Sequence, residues 1–318
     1  MRIVFMGTPD FAVPCLDALL SAGHVIAGVI TQPDRPKGRG HKLAPPPVKV
    51  LALEKGLPVF QPERIKHPEF VATLKELAPE MIVVVAFGQL LSKDILTLPA
   101  YGCVNVHASL LPEYRGAAPI HWAVINGETE TGVTIMYMDE GLDTGDMIMP
   151  ARIPIDEDDT TGIVHDKLSA LGARLLAEAV EKIADGTAGR VPQDDSQSSY
   201  APLLTKEVEL IPWEKSARDV RNLIRGLNPW PGSYTYFNGK VLKIWTAGKW
   251  AEGAGNPGQV VAAPGQVTAV LPKSGFVVQT GAGRIIITEV QLQGNRRMAA
   301  ADFIHGHGIK AGDVLGEK

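Results

Sequence analysis

The stretch Met81-Ile82-Val83-Val84-Val85-Ala86 is an uninterrupted apolar run that is rich in β-branched residues. Such a run predicts a strand that is buried on both faces of its sheet, as in parallel sheets covered by helices. Two earlier apolar runs, Arg2 to Met6 and His24 to Thr31, are separated by leucines at helical spacing. Strands that alternate with helices in this way predict a doubly wound α/β domain with a mainly parallel, Rossmann-like sheet.

The chain is longer than the about 250 to 300 residues at which a single hydrophobic core stops growing. A predicted helix from Thr160 to Ile183 closes the first domain, and the polar run Pro192 to Pro202 has the composition of a linker. Short strands with turns such as Asn238-Gly239 follow, and they predict a small OB-like β-barrel. We therefore expect an α/β domain at residues 1–189, a linker at 190–206 and a β-barrel domain at 207–318.

The composition excludes several classes of protein. Cys15 and Cys103 are the two cysteines of the chain, too few for a disulfide framework or a Cys-based zinc site. The apolar stretch at the N-terminus is too short for a signal peptide, and no run reaches the roughly 20 apolar residues of a membrane span. These features predict a cytoplasmic protein that has no membrane partner.

The charge of the chain is distributed unevenly. Residues 207–318 hold 13 Lys and Arg against 9 Asp and Glu, a net charge of +4, whereas the whole chain carries -4. Residues 1–206 therefore carry -8. A basic C-terminal third suits a polyanionic substrate.

The turn Gly7-Thr8-Pro9 follows the first predicted strand, where a dinucleotide-binding domain carries its glycine-rich fingerprint. The second and third glycines of that fingerprint are missing, and Pro9 has no backbone N–H to donate to a phosphate. We interpret this segment as a tight strand-to-helix turn rather than as a nicotinamide site.

Asn105-Val106-His107 ends a further predicted strand, and the period-two alternation of strands sends Asn105 and His107 to one face. A lone histidine at a strand end is more often structural than catalytic. However, an irregular apolar turn from Ser109 to Pro112 and a loop from Tyr114 to Pro119 follow directly. These neighbours favour a ligand site at the carboxyl end of the sheet.

Asp139, Asp143 and Asp146 lie in a glycine-containing loop after the next predicted strand. A calcium loop is the alternative, but the alternating aspartates and the distal bidentate glutamate are missing. We favour one carboxylate beside an imidazole, which holds the ring charged and oriented. Asn, His and Asp contain no nucleophile, so they suit electrostatic and proton-transfer catalysis on a bound carbonyl.

Three motifs together resemble the folate-dependent formyltransferases: Asn105 to Pro112, Tyr114 to Ile120, and Gly141 to Asp146. The similarity extends over nearly the whole chain. It includes the opening Phe5 to Phe11, the loop Thr31 to Gly40, and an appended barrel that begins near Leu210.

The resemblance implies that 10-formyltetrahydrofolate is the donor co-substrate, that the α-amine of methionine on initiator methionyl-tRNA is the acceptor, and that no metal takes part. It implies that Asn105 and His107 stabilise the oxyanion, while Asp143 keeps His107 charged and helps to remove the proton of the amine. The implied folate pocket consists of Ser109, Leu110, Leu111, Pro112 and Gly88.

Basic residues are the expected contacts for tRNA, because Lys and Arg neutralise phosphates with little reading of sequence. Each basic cluster taken alone is typical of a solvated surface. The resemblance implies tRNA contacts at Arg35, Lys37, Arg39, Lys42, Arg296 and Arg297. Arg218, Arg221 and Arg225 share one face of a predicted helix, and the same interpretation applies to them.

Three other functions stay open at this point. An amino sugar nucleotide could be the acceptor, although the basic loop and the barrel argue against it. A hydrolase would pass the formyl group to water. A tRNA-binding protein without catalysis would have no need for Asn105, His107 and Asp143. We expect the protein to be a monomer.

Overall fold

The computed structural model describes residues 1–37, 42–249 and 262–316. The chain divides into two compact units. Unit 1 comprises Met1–Pro119, Glu130–Pro154 and His165–Ala201, and unit 2 comprises Ile120–Thr129, Ile155–Val164 and Pro202–Lys318. Among the described residues, no helix is long and apolar enough to cross a membrane.

Unit 1 alternates strands and helices. Its strands are β1 (Arg2–Gly7), β2 (Val25–Ile30), β3 (Arg35–Lys37), β4 (Lys42–Ala44), β5 (Val59–Phe60), β6 (Met81–Val85), β7 (Cys103–His107), β8 (Arg115–Gly116), β9 (Glu130–Tyr137), β10 (Met147–Pro154) and β11 (Tyr200–Ala201). Its helices are α1 (Val13–Ser21), α2 (Pro47–Glu54), α3 (Pro68–Glu76) and α4 (Lys93–Leu96), and two more helices, α5 (Pro119–Ile125) and α6 (Thr161–Ala184), contain residues of both units. Proline stands in the first turn of α1, α2 and α3, where a missing N–H costs no helical bond.

The described strands of unit 1 include a seven-stranded sheet in the order β10-β9-β7-β6-β1-β2-β5. The five strands β7, β6, β1, β2 and β5 are parallel to one another, and β9 and β10 are antiparallel to their neighbours. Every residue of β6 is buried, as expected of a strand covered on both faces. The predicted doubly wound, mainly parallel sheet is therefore confirmed.

The register of β7 and β9 decides how the polar loops meet. Because the two strands are antiparallel, Tyr137 at the end of β9 pairs with Val104 near the start of β7, and Thr134 pairs with His107. The carboxyl end of β9 thus lies beside the amino end of β7. The loop 138–146 has to fold back toward the carboxyl end of β7 to bring a carboxylate to His107.

The segment expected to be a linker, 190–206, makes regular contacts with unit 1 as far as Ala201. Val191 forms a β-bridge with Met147, and β11 pairs in parallel with β8. The boundary between the units falls after Ala201.

The C-terminal part of unit 2, from Pro202 onward, contains the helices α7 (Lys206–Glu209), α8 (Ala217–Gly226) and α9 (Ala300–His307). Between these helices lie β12 (Ser233–Phe237), β13 (Lys240–Lys249), β14 (Val267–Leu271), β15 (Gly275–Gln279), β16 (Arg284–Leu292) and β17 (Met298–Ala299). Its described strands form one antiparallel sheet in the order β12-β13-β16-β15-β14, with β17 on β16. Leu242, Phe276, Ile287 and Phe303 are fully buried in its core. The predicted small C-terminal β domain is thus an antiparallel sheet with packed helices.

Candidate active site

Two polar side chains project from β7 on one face. Val104 and Val106 are buried on the other face of the strand, so Asn105 and His107 point together toward the loops. His107 is 5% exposed and Asn105 is half-buried. The alternation of the strand therefore places an amide next to a nearly buried imidazole.

Both ring nitrogens of His107 face acceptors. Nε2 lies 3.0 Å from the Tyr114 carbonyl oxygen, and Nδ1 lies 3.7 Å from Oδ2 of Asp143. A carbonyl oxygen can only accept a hydrogen bond, so Nε2 carries a proton. A ring that is protonated on both nitrogens can donate to the carbonyl and face the carboxylate with its positive charge.

The Asp143 carboxylate accepts from both sides. The backbone N–H of Gly116 donates to Oδ2 at 2.9 Å, and Nδ2 of Asn105 lies 3.5 Å from Oδ1. Asp143 itself has φ +55°, in the left-handed region that a non-glycine residue adopts at a cost. The bond from Asn105 is long, so its amide keeps capacity for another acceptor.

The loop that carries Asp143 is closed by its other polar residues. Oδ1 of Asp139 accepts from the backbone N–H of Gly141 at 3.0 Å and from Oγ1 of Thr144 at 2.7 Å. A Cβ at Gly145 would collide with the Tyr137 carbonyl oxygen, so glycine is required at that position. Among the described residues, no group of three or more His, Cys, Asp and Glu side chains is arranged to hold a metal ion.

The turn from Ser109 to Pro112 is bonded to β9. Oγ1 of Thr134 donates to the Ser109 carbonyl at 2.7 Å and accepts from the backbone N–H of Leu111 at 3.1 Å. The Ser109 and Leu111 side chains are buried, whereas Leu110 and Pro112 are half-buried. A ligand beside this turn would therefore meet Leu110, Pro112 and the backbone before it met the other two side chains.

Gly88 follows β6 with φ +86°, and polar groups that the sequence did not single out lie beside it. Oγ1 of Thr8 and Nε2 of Gln32 both donate to the Phe87 carbonyl at 3.1 Å. A Cβ added at Gly88 would lie 3.7 Å from Nε2 of Gln32. Thr8 directly follows β1 and Gln32 lies two residues after the end of β2, and these positions at the carboxyl ends of parallel strands are the signal that could have identified them.

Three of the four predicted tRNA contacts of unit 1 belong to the paired strands β3 and β4. The Arg35 side chain is exposed, the backbones of Lys37 and Lys42 belong to the two strands, and Arg39 lies outside the described residues. Lys49, in the same basic stretch, donates to both carboxylate oxygens of Asp34 at 2.8 Å. Lys49 is therefore engaged within unit 1.

The basic residues of unit 2 fall into two groups. Arg296 and Arg297 are exposed, and the Arg297 guanidinium pairs with Glu289 and lies 4.8 Å from the centre of the Trp245 ring. On α8, Arg221 is ion-paired with Asp158, and its side chain is only 12% exposed.

Arg225 is likewise committed within unit 2. Its Nε donates to Oδ1 of Asn222 at 2.9 Å, and its Nη1 donates to the Asp159 carbonyl at 3.1 Å. These contacts do not support the expectation that Arg221 and Arg225 present a basic face to tRNA. Both arginines attach the acidic segment 155–164 to α8.

Comparison with known families agrees with this geometry. Residues 1–180 match the family described as formyl transferase, and residues 203–308 match the formyl transferase C-terminal domain. These matches cover most of the α/β unit and most of the antiparallel β unit.

Several curated proteins named methionyl-tRNA formyltransferase are similar along their whole length. The chain is 59% identical to that of Pelotomaculum thermopropionicum, covering 100% of this chain and 99% of the relative. It is 54% identical to that of Desulforamulus reducens, covering 99% and 98%. It is 51% identical to that of Acetivibrio thermocellus, covering 100% of both.

Solved structures share the fold at lower identity. HypX from Aquifex aeolicus in complex with tetrahydrofolic acid has a TM-score of 0.66 at 17% identity, and the chain spans 51% of its length. The N-formyltransferase from Helicobacter canadensis in complex with folinic acid and dTDP-3-aminofucose has a TM-score of 0.65 at 20% identity, over 90% of this chain and 98% of that one. With relatives of such identity along its full length, the chain belongs to the formyl transferase family, in the group of the methionyl-tRNA formyltransferases.

Proposed function

We propose that the chain transfers the formyl group of 10-formyltetrahydrofolate to the α-amine of methionine on initiator methionyl-tRNA. One observation carries the proposal. Asp143 lies 3.5 Å from Asn105 and 3.7 Å from His107, in a chain whose relatives are named methionyl-tRNA formyltransferase. The reaction supplies formylated initiator tRNA to translation. The proposal includes the catalytic roles of Asn105, His107 and Asp143.

In the proposed reaction the neutral amine attacks the formyl carbon. A new C–N bond forms and negative charge develops on the formyl oxygen. As the intermediate collapses, the bond from the formyl carbon to the folate nitrogen breaks, and that nitrogen takes up one proton in exchange for the one that the amine loses. Nδ2 of Asn105 is a donor for this oxygen, because its 3.5 Å bond to Asp143 is easily exchanged. One donor aimed at an oxyanion in this way is typically worth about 3 kcal/mol of transition-state stabilisation.

His107 and Asp143 divide the remaining work. The imidazole faces acceptors on both nitrogens, which suits a charged ring that adds positive potential beside the oxyanion. Asp143 balances that charge at 3.7 Å, and its carboxylate can take the proton that the amine loses, directly or through water. A carboxylate already bonded to Gly116 N–H is oriented for both roles.

The donor and acceptor sites follow from the same arrangement. We place the folate next to Ser109, Leu110, Leu111 and Pro112 and beside Gly88, where the absence of a side chain leaves the backbone accessible. The basic residues Arg35, Lys37, Arg39 and Lys42, together with Arg296 and Arg297, would neutralise tRNA phosphates. The enzyme would act as a monomer in the cytoplasm, without a metal.

One assay tests the acceptor and the donor together. The purified protein is incubated with 10-formyltetrahydrofolate and, in separate reactions, with charged initiator tRNA, with dTDP-3-aminofucose, or with water alone. Formylmethionyl-tRNA, a formylated sugar nucleotide and free formate are then quantified by mass spectrometry.

Rapid formylation of the tRNA, with slow or no reaction in the other two mixtures, is the expected result. Preference for the sugar nucleotide would instead assign the acceptor to that class. Formate released at an equal rate without an acceptor would make the protein a hydrolase.

A further inference from the structure

The side chain of Gln193 uses all of its hydrogen-bonding positions within unit 1. Its Nε2 donates to the Asp143 carbonyl and to the Gly145 carbonyl, each at 2.8 Å. Its Oε1 accepts from Nε of Arg115 at 3.0 Å and from Nη2 of Arg115 at 2.8 Å. A primary amide has two donors and two acceptor positions, so this one is saturated.

One of the two carbonyl groups that Gln193 binds belongs to Asp143, which has φ +55°, and the other belongs to Gly145, two residues later. A left-handed aspartate persists only where its surroundings hold it there. The Gly116 N–H fixes the carboxylate, but it does not fix the backbone of the loop. Gln193 supplies that second attachment, because it binds the backbone of Asp143 and of Gly145 at once.

Arg115 fixes Gln193 in turn. The arginine is 9% exposed, and its Nη2 also donates to Oδ1 of Asp195 at 2.7 Å. Arg115 directly precedes Gly116, so the contacts form a closed circuit from the Gly116 N–H through Asp143, Gln193 and Arg115 back to β8. Planar guanidinium and amide groups with two bonds between them have little rotational freedom.

We propose that Gln193 is a positioning residue for formyl transfer, which sets the backbone of Asp143 and thereby the distance from its carboxylate to His107. This inference rests on the proposed function, because it takes Asp143 as the group that acts on His107 and on the amine. Gln193 itself does not reach the reacting atoms. Its contribution acts through Asp143 and has to disappear when Asp143 is altered.

The isosteric substitution Gln193→Glu removes the donors of the amide and keeps its acceptor. A glutamate keeps the acceptor that faces Arg115, but it loses both donors and turns a negative oxygen toward the two carbonyl groups. Unit 1 would stay folded through the new ion pair with Arg115, while the loop with Asp143 is released. Gln197→Ala is the matched control, since Gln197 lies in the same segment, is exposed, and bonds Asp194 at 3.0 Å.

The experiment is a double-mutant cycle on the full chain with Gln193→Glu, Asp143→Asn and the double variant. The values of kcat and of KM for donor and for tRNA are measured, with single-turnover reactions for slow variants. We expect Gln193→Glu to lower kcat about 100-fold, the size of loss that a misplacement of about 1 Å causes, with each KM within about threefold. In the Asp143→Asn background the second substitution should have almost no further effect.

Each alternative outcome leads to a different conclusion. If Asp143→Asn keeps full turnover, the proposed role of Asp143 is wrong. Two outcomes would overturn only the inference about Gln193. In the first, Asp143→Asn is slow but Gln193→Glu is as fast as the wild type. In the second, Gln193→Glu lowers kcat by the same factor in the Asp143→Asn background as in the wild type. Thermal unfolding monitors the fold, and if the glutamate variant does not fold, the same cycle is run with Gln193→Ala.

Discussion

Two charged clusters, one in each unit, differ in how tightly their groups are bound. Around Asp143 in unit 1, the Gly116 N–H holds the carboxylate at 2.9 Å, but the contacts to the Asn105 and His107 side chains measure 3.5 and 3.7 Å, so these two side chains can exchange them for a substrate. Around Arg225 in unit 2, the side chain makes bonds of 2.9 and 3.1 Å to Asn222 and to the Asp159 carbonyl.

The difference shows which charges are available for function. A group with long contacts to its neighbours loses little when it turns to a ligand, whereas a group with short bonds has to break them first. The cluster in unit 1 therefore suits the proposed chemistry, and that in unit 2 holds a segment of chain.

The largest effect is expected for His107→Ala. If the ring stabilises the oxyanion as proposed, its loss should lower kcat about 1000-fold, at the upper end of the range for a removed oxyanion-stabilising group. His305→Ala is the control, because His305 is exposed and bonds its own helix at the Ala301 carbonyl. Single-turnover formylation measures both variants. A rate for His107→Ala within threefold of the wild type would remove the ring from the mechanism.

Arg225→Ala tests the opposite cluster. Removal of the guanidinium leaves Asn222 Oδ1 and the Asp159 carbonyl without this donor, so the free energy of unfolding should fall by about 2 kcal/mol. Chemical denaturation followed by circular dichroism measures this loss. Arg218→Ala, on the same helix at an exposed position, should change stability little. Unchanged stability of the Arg225 variant together with weaker tRNA binding would make α8 a nucleic-acid interface after all.

Arg296→Ala tests whether an exposed cation of unit 2 meets tRNA. One lost phosphate contact should weaken binding and make the slope of log affinity against log salt about one unit shallower. Arg297→Ala should change the slope less, because Glu289 already neutralises that arginine. Filter binding at several salt concentrations gives both slopes. Equal slopes for Arg296→Ala and wild type would place the tRNA elsewhere.

The smallest effect concerns Glu289 and pH. The hydrogen bond from Arg297 holds the pKa of the Glu289 carboxyl below its ordinary value, with a further contribution from Thr246. A lowered pKa in the folded state contributes stability above the ordinary carboxyl pKa of about 4.3, and this stability is lost as pH falls through the lowered value. Melting temperatures of Glu289→Gln should therefore decline less steeply below about pH 4.3 than those of the wild type. Parallel curves would mean that the pair contributes nothing measurable.

The sheet of unit 1 was predictable because buried parallel strands carry continuous apolar runs, as Met81 to Val85 do. The shared face of Asn105 and His107 was predictable from strand alternation alone. Their catalytic roles stay predictions until the variants are measured.

Other parts of the site have no signal in the sequence. The partners of His107 and Asp143 at Tyr114 and Gly116 are backbone atoms, which any residue supplies. Gln193 stands 50 residues after Asp143 in a polar run that resembles a linker. The acidic partners of α8 are also distant in sequence, since Asp158 lies 63 positions before Arg221, and the helix pattern alone therefore gave the arginines no partner. Contacts of this range follow from tertiary structure and not from local pattern.

The pairing of β11 with β8 has a practical consequence for fragments of this protein. The match to the formyl transferase family ends at residue 180, which invites a shortened version that stops there. Such a version would lack Gln193 as well as Tyr200 and Ala201, which pair with Arg115 and Gly116. A shortened version that is meant to retain the candidate site should therefore keep the chain through Ala201.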